Sequence, residues 1–290
     1  MLKIFHGRSA QVHKTPRQPS TKRTPFKLSF IFSSLFAIAA CSGGSDKVSV
    51  APKDDLNEAP PPKDTGLAIP QNQDAEDYKI LYFGNSHVAG QAELIKTLIV
   101  NALPDKTVTA EIAPGRHFLA ERLNDPSSMD MLLENEWTHL VLQGQKYSQS
   151  GGNIYPTEAA ENWIALAKEN GITPILFPEH PQLGDTQEGQ FVYDIHTNIA
   201  NNQRSCVSPI GPAWDKALTI DSSLDYYHAD GNHAAPVGSL LTAYVFYEVI
   251  TGQPADLVPD IDELVVVKET QSFLRQIASE TLLELPACEF

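Results

Sequence analysis

The chain has 290 residues, 36 of them acidic and 21 basic, giving a formal charge of −15 at pH 7, and 42% are hydrophobic. Such a length holds one catalytic domain of ordinary size with residues left over for a leader and a tether. The negative charge repels nucleic acid and excludes it as a partner, while acidity alone names no other ligand.

At the start, Lys3, Arg8, Lys14, Arg17, Lys22, Arg23 and Lys27 stand without an acid before an apolar run at 28–40. This is the layout of a signal peptide, and the run falls short of the roughly 20 apolar residues that a spanning helix needs. Ile38-Ala39-Ala40-Cys41 resembles the bacterial lipobox, whose Cys is acylated and becomes the new N-terminus. The resemblance implies a leader over 1–40, a lipid anchor at Cys41 that attaches the protein to a membrane, and a place in the bacterial cell envelope, periplasmic or outer-membrane. Residues 42–77 hold no aromatic side chain and carry Pro52, Pro60, Pro61, Pro62 and Pro70 among acids, Ser and Gly, so 41–77 reads as a tether.

The folded domain is expected over 78–290. Lys79-Ile80-Leu81-Tyr82-Phe83 is a buried strand ended by Gly84. Helical and strand patterns then alternate: helix at 91–101, strand at 107–112, helix at 128–136, strand at 138–142, helix at 157–169, strand at 173–177 and helix at 189–201. A short strand is placed at Val207, a long apolar helix at 237–250 and a last helix at 268–283, whose tail packs near the sheet edge. Alternation of this kind predicts an α/β fold, with a central parallel sheet covered on both faces. Trp137, Trp163 and Trp214 are assigned to the core, and His117, His139, His180 and His196 receive no role. Cys206 and Cys288 form an even pair in a compartment that permits disulfides. They are either bridged, with Cα atoms within about 7 Å, or two buried thiols.

In an open α/β sheet, ligands sit beyond the carboxyl ends of the strands. Gly84-Asn85-Ser86 stands directly after the first strand, which places the Ser86 hydroxyl there; a Ser that merely caps the following helix is the plainer alternative. A serine nucleophile needs a base, and the base needs a partner that holds its tautomer. Asp230-Gly231-Asn232-His233 supplies both types just before the apolar helix. A second pair, Asp225 and His228, lies just upstream, and all four could instead ligate zinc, although no established zinc spacing is present.

The order of these blocks, a hydrophobic strand into Gly-x-Ser and a late Asp-x-x-His before a Gly and an apolar helix, resembles the SGNH (GDSL-like) hydrolases over about residues 80–252. That resemblance implies a three-layer α/β/α sandwich of flavodoxin-like kind and ester hydrolysis through an acyl-enzyme without a cofactor or metal. Ser86 would be the nucleophile, His233 the base and Asp230 its orienter. The oxyanion would be held by the Ser86 amide, by Gly115 after the second strand and by a third donor after the next strand. There the family has Asn, whereas this chain has Gln143-Gly144-Gln145, with both Gln on one strand face and Gln145 assigned the role. Asn85 likewise replaces the family's usual Asp. Export and an acidic, unextended domain, rather than the resemblance, suggest as partner a small-molecule or glycan ester, with an acetyl or other short acyl group. A non-catalytic envelope binding protein on the same fold is the competing class, as are lipase or thioesterase specificities.

Overall fold

The structure, a computed structural model, describes residues 66–144 and 156–290. The expected leader, Cys41, most of the tether and Gln145 lie outside the described residues.

The strands are β1 (Asp77–Phe83), β2 (Thr107–Ile112), β3 (His139–Gln143), β4 (Thr173–Phe177) and β5 (Cys206–Val207). All pair in parallel, in the order β2-β1-β3-β4-β5, which is the flavodoxin-like order. The alternating reading of the sequence thus corresponds to an α/β/α sandwich. Parallel neighbours require crossovers, and here helices supply them: α1 (Gln91–Ala102), α2 (Leu119–Leu123), α3 (Pro126–Leu133), α4 (Glu158–Glu169) and α5 (Glu188–Asn202). Three more follow the last strand, α6 (Ile210–Ile220), α7 (Pro236–Thr251) and α8 (Lys268–Glu284).

Strand side chains alternate between the two faces. Ile80, Tyr82, Val141, Ile175 and Phe177 pack with α1, α6, α7 and α8, whereas Leu81, Phe83, Leu140, Leu142 and Leu176 pack with α2, α4 and α5. β3 and β4 are buried throughout, so they read as unbroken apolar runs rather than alternating ones. Helix α7 is buried on nearly all sides, as its uniformly apolar sequence requires.

Several boundaries differ from the sequence reading. Helix α3 starts at Pro126 rather than 128, because Asp125 caps it by accepting from the Ser127 and Ser128 amides and Pro takes the first turn. It ends at Leu133. Helix α6 was not among the expected elements; its Pro212 stands in the first helical turn, where Pro is tolerated. Gly211 sits there because an added Cβ would lie 2.3 Å from the Gly189 carbonyl oxygen of α5. The packed domain also begins before residue 78. Ile69 is buried, and the Asn72 amide donates to Thr138 O, Gly171 O and Thr173 Oγ1 at 2.9–3.0 Å, so the last residues of the expected tether are fastened across the bottom of the sheet. Cys206 and Cys288 are bonded to each other, joining β5 to the residues beyond α8.

Candidate active site

The strand order reverses between β1 and β3, and a doubly wound sheet opens a crevice at that point beyond the carboxyl ends. The loop after β1 enters it. Gly84 leaves β1 with no room for a side chain: a Cβ would sit 2.5 Å from Gln143 Oε1 and 2.6 Å from Val88. Ser86–Val88 forms a 3₁₀ turn, and Asn85 caps it by accepting from the His87 amide at 2.9 Å. The serine is therefore the first residue of the turn, with the cap taken by its neighbour.

The base arrives on a tight loop. Tyr227 bridges Ala234 in antiparallel fashion, His228 N donates to His233 O at 2.8 Å, and Gly231 N donates to His228 O at 2.9 Å, with Gly231 in the left-handed region at φ 68°. Asp230 Oδ1 accepts from the Asn232 and His233 amides, both at 3.0 Å. Its Oδ2 lies 2.6 Å from His233 Nδ1, and His233 Nε2 lies 2.8 Å from Ser86 Oγ. A carboxylate only accepts, so Nδ1 carries the proton and the bare Nε2 accepts from the Ser86 hydroxyl. The hydrogen bond from His233 holds the Asp230 carboxyl well below the usual carboxylate range, helped by the two backbone amides. A neutral imidazole so placed can take the serine proton as Oγ attacks an electrophile.

The two Asp-x-x-His pairs separate cleanly. Asp225 and His228 are exposed on the opposite arm of the loop. Among the described residues no three His, Cys, Asp or Glu side chains converge as a metal ion would require.

Sequence reasoning missed the support beneath these loops. Gln143, at the end of β3 and 7% exposed, grips Asn85 twice: its Oε1 accepts from Asn85 N at 2.6 Å and its Nε2 donates to Asn85 Oδ1 at 2.9 Å. The second Nε2 proton goes to Glu179. Both donors are thus spent, which leaves Gln143 none for an oxyanion. Glu179 Oε2 faces His87 Nε2 at 3.6 Å, and the His87 ring stacks on His233 with centroids 5.1 Å apart and planes 17° apart. Next in sequence, His180 stacks on Trp214 at 4.0 Å and donates from Nε2 to Asn232 O at 2.9 Å. Burial, then the nearby His87, lowers the His180 pKa to about 3, so it stays neutral. Gln182 Nε2 donates to Asn232 Oδ1, and Leu183 N to Gly231 O. The segment after β4 therefore cradles both the nucleophile loop and the base loop. The signal was available, since Glu179 and His180 follow a strand at its carboxyl end.

The loop after β2 is pinned by Arg122 of α2. Fully buried, it donates to the carbonyls of Ala113, Pro114 and Gly115 at 3.2–3.4 Å and to Ser128 Oγ at 3.1 Å, with its guanidinium over the Phe83 ring. Gly115 has φ 76°, a left-handed conformation that favours glycine, and a Cβ there would lie 2.5 Å from the His117 ring, which would have to turn away. Beside Ser86 and His233 opens a cleft of about 700 Å³, walled by α1, the start of α7 and the loop before α8, with Arg116 and His228 at its polar margin.

No family model matches this chain, and no curated protein matches it in sequence. Solved structures do. A DUF4886 family protein from Bacteroides uniformis aligns over 73% of this chain and 97% of its own, with 14% identity and a TM-score of 0.52. A candidate SGNH hydrolase from Slackia heliotrinireducens covers 59% and 98%, with 21% identity and a TM-score of 0.45. An acetylxylan esterase from Geobacillus stearothermophilus covers 63% and 97%, at 13% and 0.48. The likeness is one of fold.

Proposed function

We propose that this chain is a serine ester hydrolase working through an acyl-enzyme. The observation that carries the reading is the unbroken hydrogen-bond chain from Ser86 Oγ through His233 to Asp230 at the crevice of the sheet.

Ser86 Oγ attacks the ester carbonyl carbon while His233 Nε2 takes its proton. The oxyanion that forms is held by the Ser86 amide, by Gly115 and by Gln145 as the third donor, each such donor being worth about 10²- to 10³-fold in rate. The imidazolium returns its proton to the departing alkoxide, and the acyl group stays on Ser86. Water then attacks the acyl-enzyme as His233 takes a proton from it, releasing the acid and restoring the serine. Asp230 keeps its charge throughout and holds the imidazole in the productive tautomer. A binding protein without activity would have no need of a serine so precisely paired with its base. The chain is further proposed to be exported and held to a membrane through Cys41; Cys41→Ala should then move it out of the detergent phase.

The test is covalent labelling with a fluorophosphonate. Modification of Ser86 in the wild type, lost in Ser86→Ala and His233→Ala, supports the reading. A folded protein that neither labels nor hydrolyses any p-nitrophenyl ester would sink it.

A further inference from the structure

The cleft beside the triad has a lining that bears on the acyl group. Leu94 faces it from α1, Pro236 and Leu240 from the first turns of α7, and Leu264, Val265 and Val266 from the loop before α8. Among the described residues no Asp or Glu lines it. Apart from His87, His228 and His233, no aromatic ring among the described residues lines it either. A site for sugar hydroxyls needs carboxylates and amides as hydrogen-bond partners and flat rings to stack on, whereas the described lining, apart from Ser86, His87, Arg116, His228, His233 and Ser239, is aliphatic carbon. The rim points the same way, with Val265 83% exposed. Val265 thus extends the aliphatic wall of Leu264 and Val266 out to the mouth of the cleft.

We propose, resting on the serine-hydrolase reading, that this cleft binds the acyl chain of the substrate and that the chain is aliphatic and of medium length rather than acetyl. The acyl side is assigned because the cleft begins at Ser86, to which the acyl group stays bonded after the alcohol has left. The acetyl-glycan expectation drawn from export is replaced by esters of medium-chain acids.

The experiment measures kcat/KM of the wild-type protein on p-nitrophenyl acetate, butyrate, hexanoate and octanoate. Each methylene buried should raise it about fourfold, so hexanoate should exceed acetate on the order of 10²-fold until the cleft is full. Leu264→Gln and, independently, Leu94→Gln should each cut the hexanoate-to-acetate ratio by about tenfold or more, with folding checked by circular dichroism. A flat or falling series in protein whose Ser86 takes the fluorophosphonate overturns the acyl assignment while leaving the serine reading intact. Unchanged ratios in both variants, or hexyl acetate preferred over hexanoate esters, overturn it as well. Failure of both labelling and hydrolysis removes the serine reading, and the chain assignment falls with it.

Discussion

Gln143→Ala is the perturbation that best isolates what holds the nucleophile in place. The side chain makes two hydrogen bonds to Asn85 and a third to Glu179 from a nearly dry site. Each such bond contributes about 1 kcal/mol net, and the Asn85 amide left without an acceptor costs about 1–3 kcal/mol more, so a loss of about 4–6 kcal/mol is expected. For a domain of this size that lowers Tm by about 8–24 °C. Asn85 also caps the turn that begins at Ser86, and displacement of a nucleophile by about 1 Å costs on the order of 10²-fold. Because Gln143 does not line the cleft, the loss should fall on kcat rather than KM. Differential scanning fluorimetry and steady-state kinetics on p-nitrophenyl hexanoate read both quantities. An oxyanion donor would behave otherwise, with kcat falling at unchanged Tm. Gln143→Glu should be at least as damaging, since it can still accept from Asn85 N but sets a carboxylate against Glu179; adding Glu179→Gln should recover part of the loss. A folded Gln143→Ala protein with wild-type kcat and Tm would refute the reasoning.

His233→Ala should lower kcat/KM about 10³-fold or more, and Asp230→Asn should also be severe through the wrong imidazole tautomer; near wild-type turnover in either would dissolve the triad. His228→Ala should stay within about tenfold, because His228 meets the base loop through its backbone, and an inactive His228 variant beside an active His233 variant would reverse the assignment. Removing the disulfide as Cys206→Ala with Cys288→Ala should cost about 4 kcal/mol, as expected for a cross-link spanning 82 residues, and an unchanged thermal midpoint would contradict that. Burial lowers the His139 and His180 pKa values to about 3 and that of His196 to about 4, against about 6.5 in the unfolded chain. Below pH 6.5 the unfolded chain takes up protons that the folded one refuses, so stability is full above that pH and is lost toward pH 4. Asp215, raised to about 6 by burial, opposes this with one group against three. Tm should therefore be lower at pH 5 than at pH 7 in a salt-matched melt, and a flat profile would count against three neutral buried imidazoles.

The parts legible in the sequence are those whose cause is local. The alternation of apolar runs and helical patterns reflects a parallel sheet buried on both faces, and Asp230 and His233 meet because a tight turn through Gly231 folds three residues back on themselves. What stayed hidden depends on residues distant in sequence. Gln143 reads as one more polar strand end until Asn85, 58 residues earlier, is seen against it. His180 and Arg122 are titratable or charged side chains whose burial no periodicity signals, since each depends on partners elsewhere in the fold. Helix α6 was hidden because Gly211, a poor helix former in isolation, is here required by the close approach of α5.

The two margins of the sheet are treated differently. Beyond β5 the terminal segment is fastened by one backbone bond, Val207 N to Ala287 O at 2.7 Å, by the Arg204 guanidinium donating to Glu289 O at 2.9 Å, and by the bond between Cys288 and Cys206. It thus acts as a strip laid along that margin, occupying an amide that would otherwise be open to a strand from another molecule. At the opposite margin β2 stays uncovered but mostly polar, with Thr107, Thr109 and Glu111 facing water. A reducing environment, or cleavage before residue 287, would peel the strip away and open a short, largely apolar edge. Resistance to self-association therefore rests on an oxidised bond far from the chemistry, and loss of solubility on reduction should precede any loss of the folded sheet.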